Sequence, residues 1–311
     1  MNIELGKLLG RGAGCGVYEY GPDKVCKLYI EKYGFDYANW EYKKTMDAYE
    51  NGLPAPKVYE IIEYNGRFGL IMERFYGKTF NEMLNEAVLD NIRSGMENGR
   101  MDSKILCSSY ELFLNQIKDT ARILFQMHQK KVKLMQTAKS YLLNSCQNNP
   151  YLNQNEKNII CRITEGLPDS DCVCHGDPNP DNFMYNDGKI LIIDWINSVN
   201  GSPLYDITEY KLLMEFSDEF DESEEISGFP DYFQRFYLKN RDELQRLFKD
   251  KNENIRIFTN EYVRLSNIDL SGMDHFYLPM LAAKMNGNNS ENKQRRFLEG
   301  IKKELQLRNY G

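Results

Sequence analysis

The 311-residue sequence is short of several features that would define a function class. It has three histidines and two tryptophans, and apolar runs such as Phe276 to Ala283 stop at eight residues. A bilayer-spanning helix needs about 20 apolar residues, so no membrane span is expected. Basic residues are outnumbered, 39 Lys and Arg against 46 Asp and Glu, for a net charge of −7. An acidic chain gains little from nucleic-acid phosphates or anionic lipid, so neither nucleic acid nor membrane is expected as a partner. The first residues, MNIELGKLLG, have neither the basic start nor the apolar core of a secretion signal. The seven cysteines, at 15, 26, 107, 146, 161, 172 and 174, are odd in number and irregular in spacing. Reduced thiols and a cytoplasmic location are therefore expected. Cys172, Cys174 and His175 crowd together, but tetrahedral zinc loops need wider separations, so no zinc site is expected there. Glycine (22) and proline (10) are too few for collagen or low-complexity disorder.

The pattern that is present changes character along the chain. Residues 4–9, 17–20, 24–29, 58–64 and 68–72 read as strands, and residues 36–50 as a helix stopped by Asn51-Gly52 and Pro54. Asn65-Gly66 is a two-residue hairpin signal. From about residue 79 the periodicity is helical. It is strongest over 105–129, where Leu106, Tyr110, Phe113, Leu114, Ile117, Ala121, Leu124 and Met127 share one stripe. Further helices are expected at 136–147, 153–166, 203–216, 230–249, 252–265, 274–286 and 290–307, and a polar loop at 91–103. One hairpin interrupts the helices, with 183–185 and 189–193 flanking Asn186-Asp187-Gly188. Two units follow, 1–76 and 77–311, joined near Glu73 to Gly77.

The densest chemistry lies in His175-Gly176-Asp177-Pro178-Asn179-Pro180-Asp181-Asn182 and in Asp194. A hairpin returns its far end to its start, so Asn182 and Asp194 can face one small volume with Asp177 in the adjoining loop. Two oxygen ligands for Mg²⁺ and a third carboxylate for a substrate proton suit phosphoryl transfer. That chemistry asks for metal and positioning more than for covalent help.

On these residues the sequence resembles the aminoglycoside phosphotransferase and choline kinase group, relatives of protein kinases. Other segments agree in order. Leu9 to Tyr18, with Gly12, Gly14 and Gly16, resembles the nucleotide-covering loop. Lys27, in Val25-Cys26-Lys27-Leu28, resembles the phosphate-binding lysine, and Glu41 falls where its partner should be; Glu31 and Glu50 are alternatives. Leu70 to Phe75 resembles the hinge that binds the base, through backbone at Glu73 and Phe75. His128 ends the helix before the catalytic loop, and Asp206 resembles the aspartate that braces it.

The resemblance implies an α+β, protein-kinase-like two-lobed fold, with a small β-rich nucleotide-binding lobe and a large, mainly helical lobe for catalysis and substrate. It implies Asp177 as catalytic base, Asn182 and Asp194 as Mg²⁺ ligands, and ATP or GTP as co-substrate. The acceptor would be a hydroxyl of a small, cationic molecule, aminoglycoside-like first and choline or an amino alcohol next. Departures from protein kinases point to a small molecule: Gly176 replaces an arginine, Trp195-Ile196 replaces Phe-Gly, and no Ala-Pro-Glu segment follows. A protein side-chain kinase and a non-catalytic nucleotide-binding scaffold remain the rival classes. The acidic run 215–225, with seven acids and no base, reads either as a solvated loop or as a rim that recruits a polycation.

Overall fold

The computed structural model describes residues 4–12, 14–98, 103–217, 229–248, 250–287 and 289–308. The N-terminal part is a five-stranded antiparallel sheet in the order β1-β2-β3-β5-β4. Its strands are β1 (Leu8–Gly12), β2 (Cys15–Glu19), β3 (Lys24–Tyr29), β4 (Val58–Tyr64) and β5 (Arg67–Glu73), and helix α1 (Phe35–Glu50) joins β3 to β4. Asn65 and Gly66 both take positive φ in the β4–β5 turn, as the Asn-Gly pair requires. The first strand begins later than the 4–9 pattern suggests, because its register is set by pairing with Gly16–Tyr18 of β2.

The remainder is mainly helical: α2 (Phe80–Glu97), α3 (Ser103–His128), α4 (Ala138–Gln147), α5 (Gln154–Glu165), α6 (Leu204–Glu215), α7 (Asp231–Phe248), α8 (Lys251–Ser266), α9 (Met273–Lys284) and α10 (Glu291–Leu307). Its core gathers the apolar stripe of α3 with α6, α9 and α10, around Leu124, Trp195, Ile207, Phe258 and Leu281. No described helix is long and apolar enough to cross a membrane, and all seven cysteines are free thiols.

The polar loop expected at 91–103 is corrected. Helix α2 continues to Glu97, capped by Thr79 and Glu82 bonding each other's backbone N–H groups. Ile92 is buried against Ile105, Leu106 and Phe236, so tertiary packing overrides the local polarity. Residues 99–102 lie outside the described residues, as does most of the acidic run, 218–225.

Two small sheets place the loops. Strand β6 (Lys78–Thr79) ends the connector and pairs with β8 (Phe183–Asn186), which pairs with β9 (Lys189–Ile192). Strand β7 (Cys172–Cys174) pairs with β10 (Val199–Gly201). The hairpin meets the segment between α1 and β4 directly: Ile192 N–H donates to Pro54 C=O at 2.7 Å.

Candidate active site

Lys27 sits mid-strand in β3, opposite Val17 and Leu70. Its ammonium pairs with Glu41 Oε1 at 2.6 Å and Asp194 Oδ1 at 3.4 Å. Glu41 is 1% exposed, and its second oxygen accepts the Tyr29 hydroxyl at 2.8 Å. Burial alone lowers the Lys27 pKa, but the carboxylates of Asp194 and Glu41 reverse this and hold it well above the ordinary value. Burial raises Glu41, with Lys27 opposing. The result is a lysine held charged between Glu41 of the β-rich unit, the upper one, and Asp194 of the helical unit, the lower one. Glu31 and Glu50, the other candidate partners, are exposed.

Asp194 follows β9 with φ 64° and ψ 54°, a left-handed conformation that aspartate tolerates better than most residues. Ile193 N–H donates to Asn182 C=O at 2.9 Å, so the two ends of the hairpin lie side by side. Asn182 Nδ2 donates to Asp177 C=O at 3.0 Å. That uses the amide nitrogen and leaves Asn182 Oδ1 as an acceptor. Asn182 Oδ1 and the part-exposed Asp194 carboxylate are hard oxygen donors, the kind Mg²⁺ takes; the donor set fits that ion.

Asp177 is held by its backbone. Its C=O lies 2.9 Å from His175 Nδ1, while His175 Nε2 lies 3.0 Å from Ile193 C=O. His175 thereby ties the loop to the end of the hairpin. Burial raises the Asp177 carboxyl pKa and Asp194 adds to the rise; His175, Lys284 and the Asn182 hydrogen bond oppose it.

Beneath the loop, buried Asp206 at the start of α6 accepts three bonds. These come from His175 N–H at 2.8 Å, Gly176 N–H at 2.7 Å and His128 Nε2 at 2.9 Å. His128 Nδ1 is 2.6 Å from the Tyr262 hydroxyl. Gly176 has φ +79°, and a Cβ there would lie 2.5 Å from Asn197 C=O, so only glycine fits. His128, Cys174 and Asp206 converge closely enough to suggest a metal. The hydrogen bonds make this group a brace: Cys174 Sγ donates to Ser202 C=O at 3.4 Å.

Gly12 ends β1, and Gly16 lies in β2 opposite Arg11 and Leu28. Gly14 is in the turn between them, where a Cβ would fall 2.6 Å from the Tyr33 ring. Cys15 lies near the Lys27, Glu41 and Asp194 charges, with burial raising its thiol pKa. At the connector, Glu73 N–H donates to Lys57 C=O at 2.9 Å, and Arg74 N–H to Asp23 C=O at 3.0 Å.

Two charged residues had no signal in the sequence. Glu209, on α6 one turn after Asp206, pairs with Lys284 from the end of α9. Burial raises the Glu209 carboxyl; burial lowers Lys284, but Glu209 and Asp177 more than reverse this. Lys284 lines two cavities. One, of about 710 Å³, is bordered by Gly176, Asn197 and Glu209; the other, of about 310 Å³, by Asn179, Pro180 and Ser217. Only their separation of 75 residues hid the pair.

Residues 116–245 match the family described as the phosphotransferase enzyme family. The structure is similar to that of aminoglycoside-3'-phosphotransferase of type VIII, at 15% identity, covering 90% of this chain and 93% of that one, with a TM-score of 0.51. That likeness shows the kinase-like two-lobed fold. It is also similar to a choline/ethanolamine kinase family protein from Mesorhizobium loti, at 14% identity over 99% of this chain and 90% of that one, TM-score 0.44. A streptomycin–ATP–APH(2")-IIa ternary complex matches at 13% identity over 96% of this chain and 91% of that one, TM-score 0.44. No curated protein sequence matches the chain.

Proposed function

We propose that this chain, whose residues 116–245 match the phosphotransferase enzyme family, moves the terminal phosphate of ATP or GTP to a hydroxyl of a small, cationic molecule. The observation that carries the reading is the Lys27–Glu41–Asp194 ion triad. It joins the β-rich and helical units beside the Asp177–Asn182 loop.

In this reading residues 1–76 bind nucleotide and 77–311 carry catalysis and acceptor. Lys27, fixed by Glu41, contacts the α and β phosphates. The β1–β2 segment with Gly12, Gly14 and Gly16 offers backbone N–H groups to phosphate. Glu73 C=O and Phe75 N–H bind the base. Asn182 and Asp194 would hold Mg²⁺, which supplies charge neutralisation for the transferring phosphoryl group. Asp177 orients the acceptor hydroxyl and takes its proton. His175 and Lys284 oppose the burial that raises that carboxyl's pKa.

The acceptor reading rests on sequence. Residues 215–225 carry seven acids and no base, six of the acids lying outside the described residues, and such a run suits a polycation.

Nucleotide consumption, followed over aminoglycosides, choline, ethanolamine, amino alcohols and sugars, tests the reading. Turnover with polycations is the expected result. Turnover confined to quaternary amines would replace the acidic rim by an aromatic cage. Phosphate transfer to a peptide and to no small molecule would overturn the proposal.

A further inference from the structure

Helix α1 carries a second charged residue one turn after Glu41. Lys44 is fully buried. Its ammonium donates to the Ser198 carbonyl and to Gln136 Oε1, the latter at 3.2 Å. Those partners are 154 and 92 residues away, in the lower unit. Ser198 closes the 3₁₀ turn Trp195–Asn197 that directly follows Asp194. The Trp40 ring lies 5.6 Å from the ammonium.

Among the described residues, no carboxylate is within ion-pair distance of Lys44. Asp47, whose charge opposes the effect of burial on it, is bonded elsewhere: its Oδ2 accepts Met135 N–H at 2.7 Å and its Oδ1 accepts Asn51 Nδ2 at 3.2 Å. A buried ammonium held only by neutral acceptors is costly to the fold, and its pKa is lowered by burial to about 8. The hydroxyls of Thr45 and Ser198 at the same seam have no partner. Lys44, together with the Asp47–Met135 bond, therefore makes the polar contacts of α1 across it.

We propose that Lys44 is a positioning residue: it fixes α1 against the turn after Asp194 and thereby keeps Glu41 in register with Lys27 and Asp194. The helix belongs to two cores. Ala38 packs with Tyr29 and Leu70 under the upper sheet, and Ala48 packs with the core of the lower unit. Apolar packing alone permits sliding along this seam; a directed bond to a main-chain carbonyl does not. The bond joins the element that orients Lys27 to the turn that presents Asp194. Lys44 thus helps set the spacing of groups that come from separate units.

The catalytic part of this inference rests on the phosphotransferase reading, so the experiment separates the two. Lys44→Met keeps the volume and removes the donor. With an accepted substrate, kcat/KM for nucleotide should fall about 10- to 100-fold, the effect of a roughly 1 Å misplacement, while acceptor KM stays within about twofold. On a Glu41→Gln background the same substitution should cost less than about twofold, because the effect runs through Glu41. Gln136→Leu, which leaves the Ser198 bond, should give a smaller loss in the same direction. It serves in place of Lys44→Met if that variant does not fold.

Amide hydrogen exchange supplies a readout that needs no turnover. Lys44→Met should speed exchange in both 38–47 and 195–198. Wild-type exchange rates in both segments would overturn the proposal. So would an equal loss of kcat/KM with and without Glu41. A wild-type protein that consumes no nucleotide with any acceptor would instead overturn the phosphotransferase reading, leaving exchange to decide whether Lys44 anchors α1.

Discussion

Replacing Asp177 by asparagine should lower kcat by about 10²–10⁴-fold, the contribution of a positioned base, and leave nucleotide affinity nearly unchanged. The architecture around the residue makes this a clean substitution. His175 Nδ1 and Asn182 Nδ2 both address the Asp177 main-chain oxygen, which asparagine retains. Lys27, Glu41 and Asp194 form their triad without it. The lost function is thus proton acceptance, together with the negative charge that Lys284 faces. Initial rates and a nucleotide titration on the same preparation check the prediction. Turnover within twofold of wild type would remove Asp177 from the role of base.

Asp206→Ala should be the most damaging substitution to the fold among the site residues, at about 3–5 kcal/mol, the usual cost of removing one member of a buried, hydrogen-bonded pair. The carboxylate is fully buried and serves three donors. Oδ1 takes Gly176 N–H, and Oδ2 takes His175 N–H and His128 Nε2. Alanine leaves all three without a partner in a site closed to water. Asparagine should fall between, since its single oxygen can satisfy one side while its NH₂ confronts a donor on the other. Urea unfolding measures both. A cost below about 1 kcal/mol for alanine would mean that the 175–182 loop is held by packing and by His175 instead.

Much of this arrangement could be read from local pattern. Lys27 announced itself because a charge flanked by Val25, Cys26 and Leu28 in a strand needs a buried partner. The hairpin around Asn186-Asp187-Gly188 let Asn182 and Asp194 be placed together before any coordinates, since the pairing of Phe183 with Ile192 follows from the turn. Helix α2 shows where local reading stopped. Thr79 and Glu82 have capping-box spacing, a legible start signal. The polar, glycine-containing stretch after Asn91 hid the continuation, which depends on Ile92 meeting Phe236 from far along the chain. Glu209, Lys284 and Lys44 were invisible for the same reason. Each is an unremarkable polar residue in a helix, and only tertiary contacts across 75 to 154 positions give it a partner. The left-handed backbone at Asp194 likewise has no sequence mark, because aspartate adopts it only where the surrounding hairpin and turn impose it.

The central claim is that the two units meet around a divalent cation and a triphosphate at Lys27, Asn182 and Asp194. Calorimetric titration of ATP into wild type and Asp194→Ala, each with and without Mg²⁺, tests it most directly. Wild type should bind ATP much more tightly with Mg²⁺ than without, and Asp194→Ala should lose that difference. Wild-type binding indifferent to Mg²⁺, or an Asp194→Ala variant that keeps the full Mg²⁺ dependence, would contradict it.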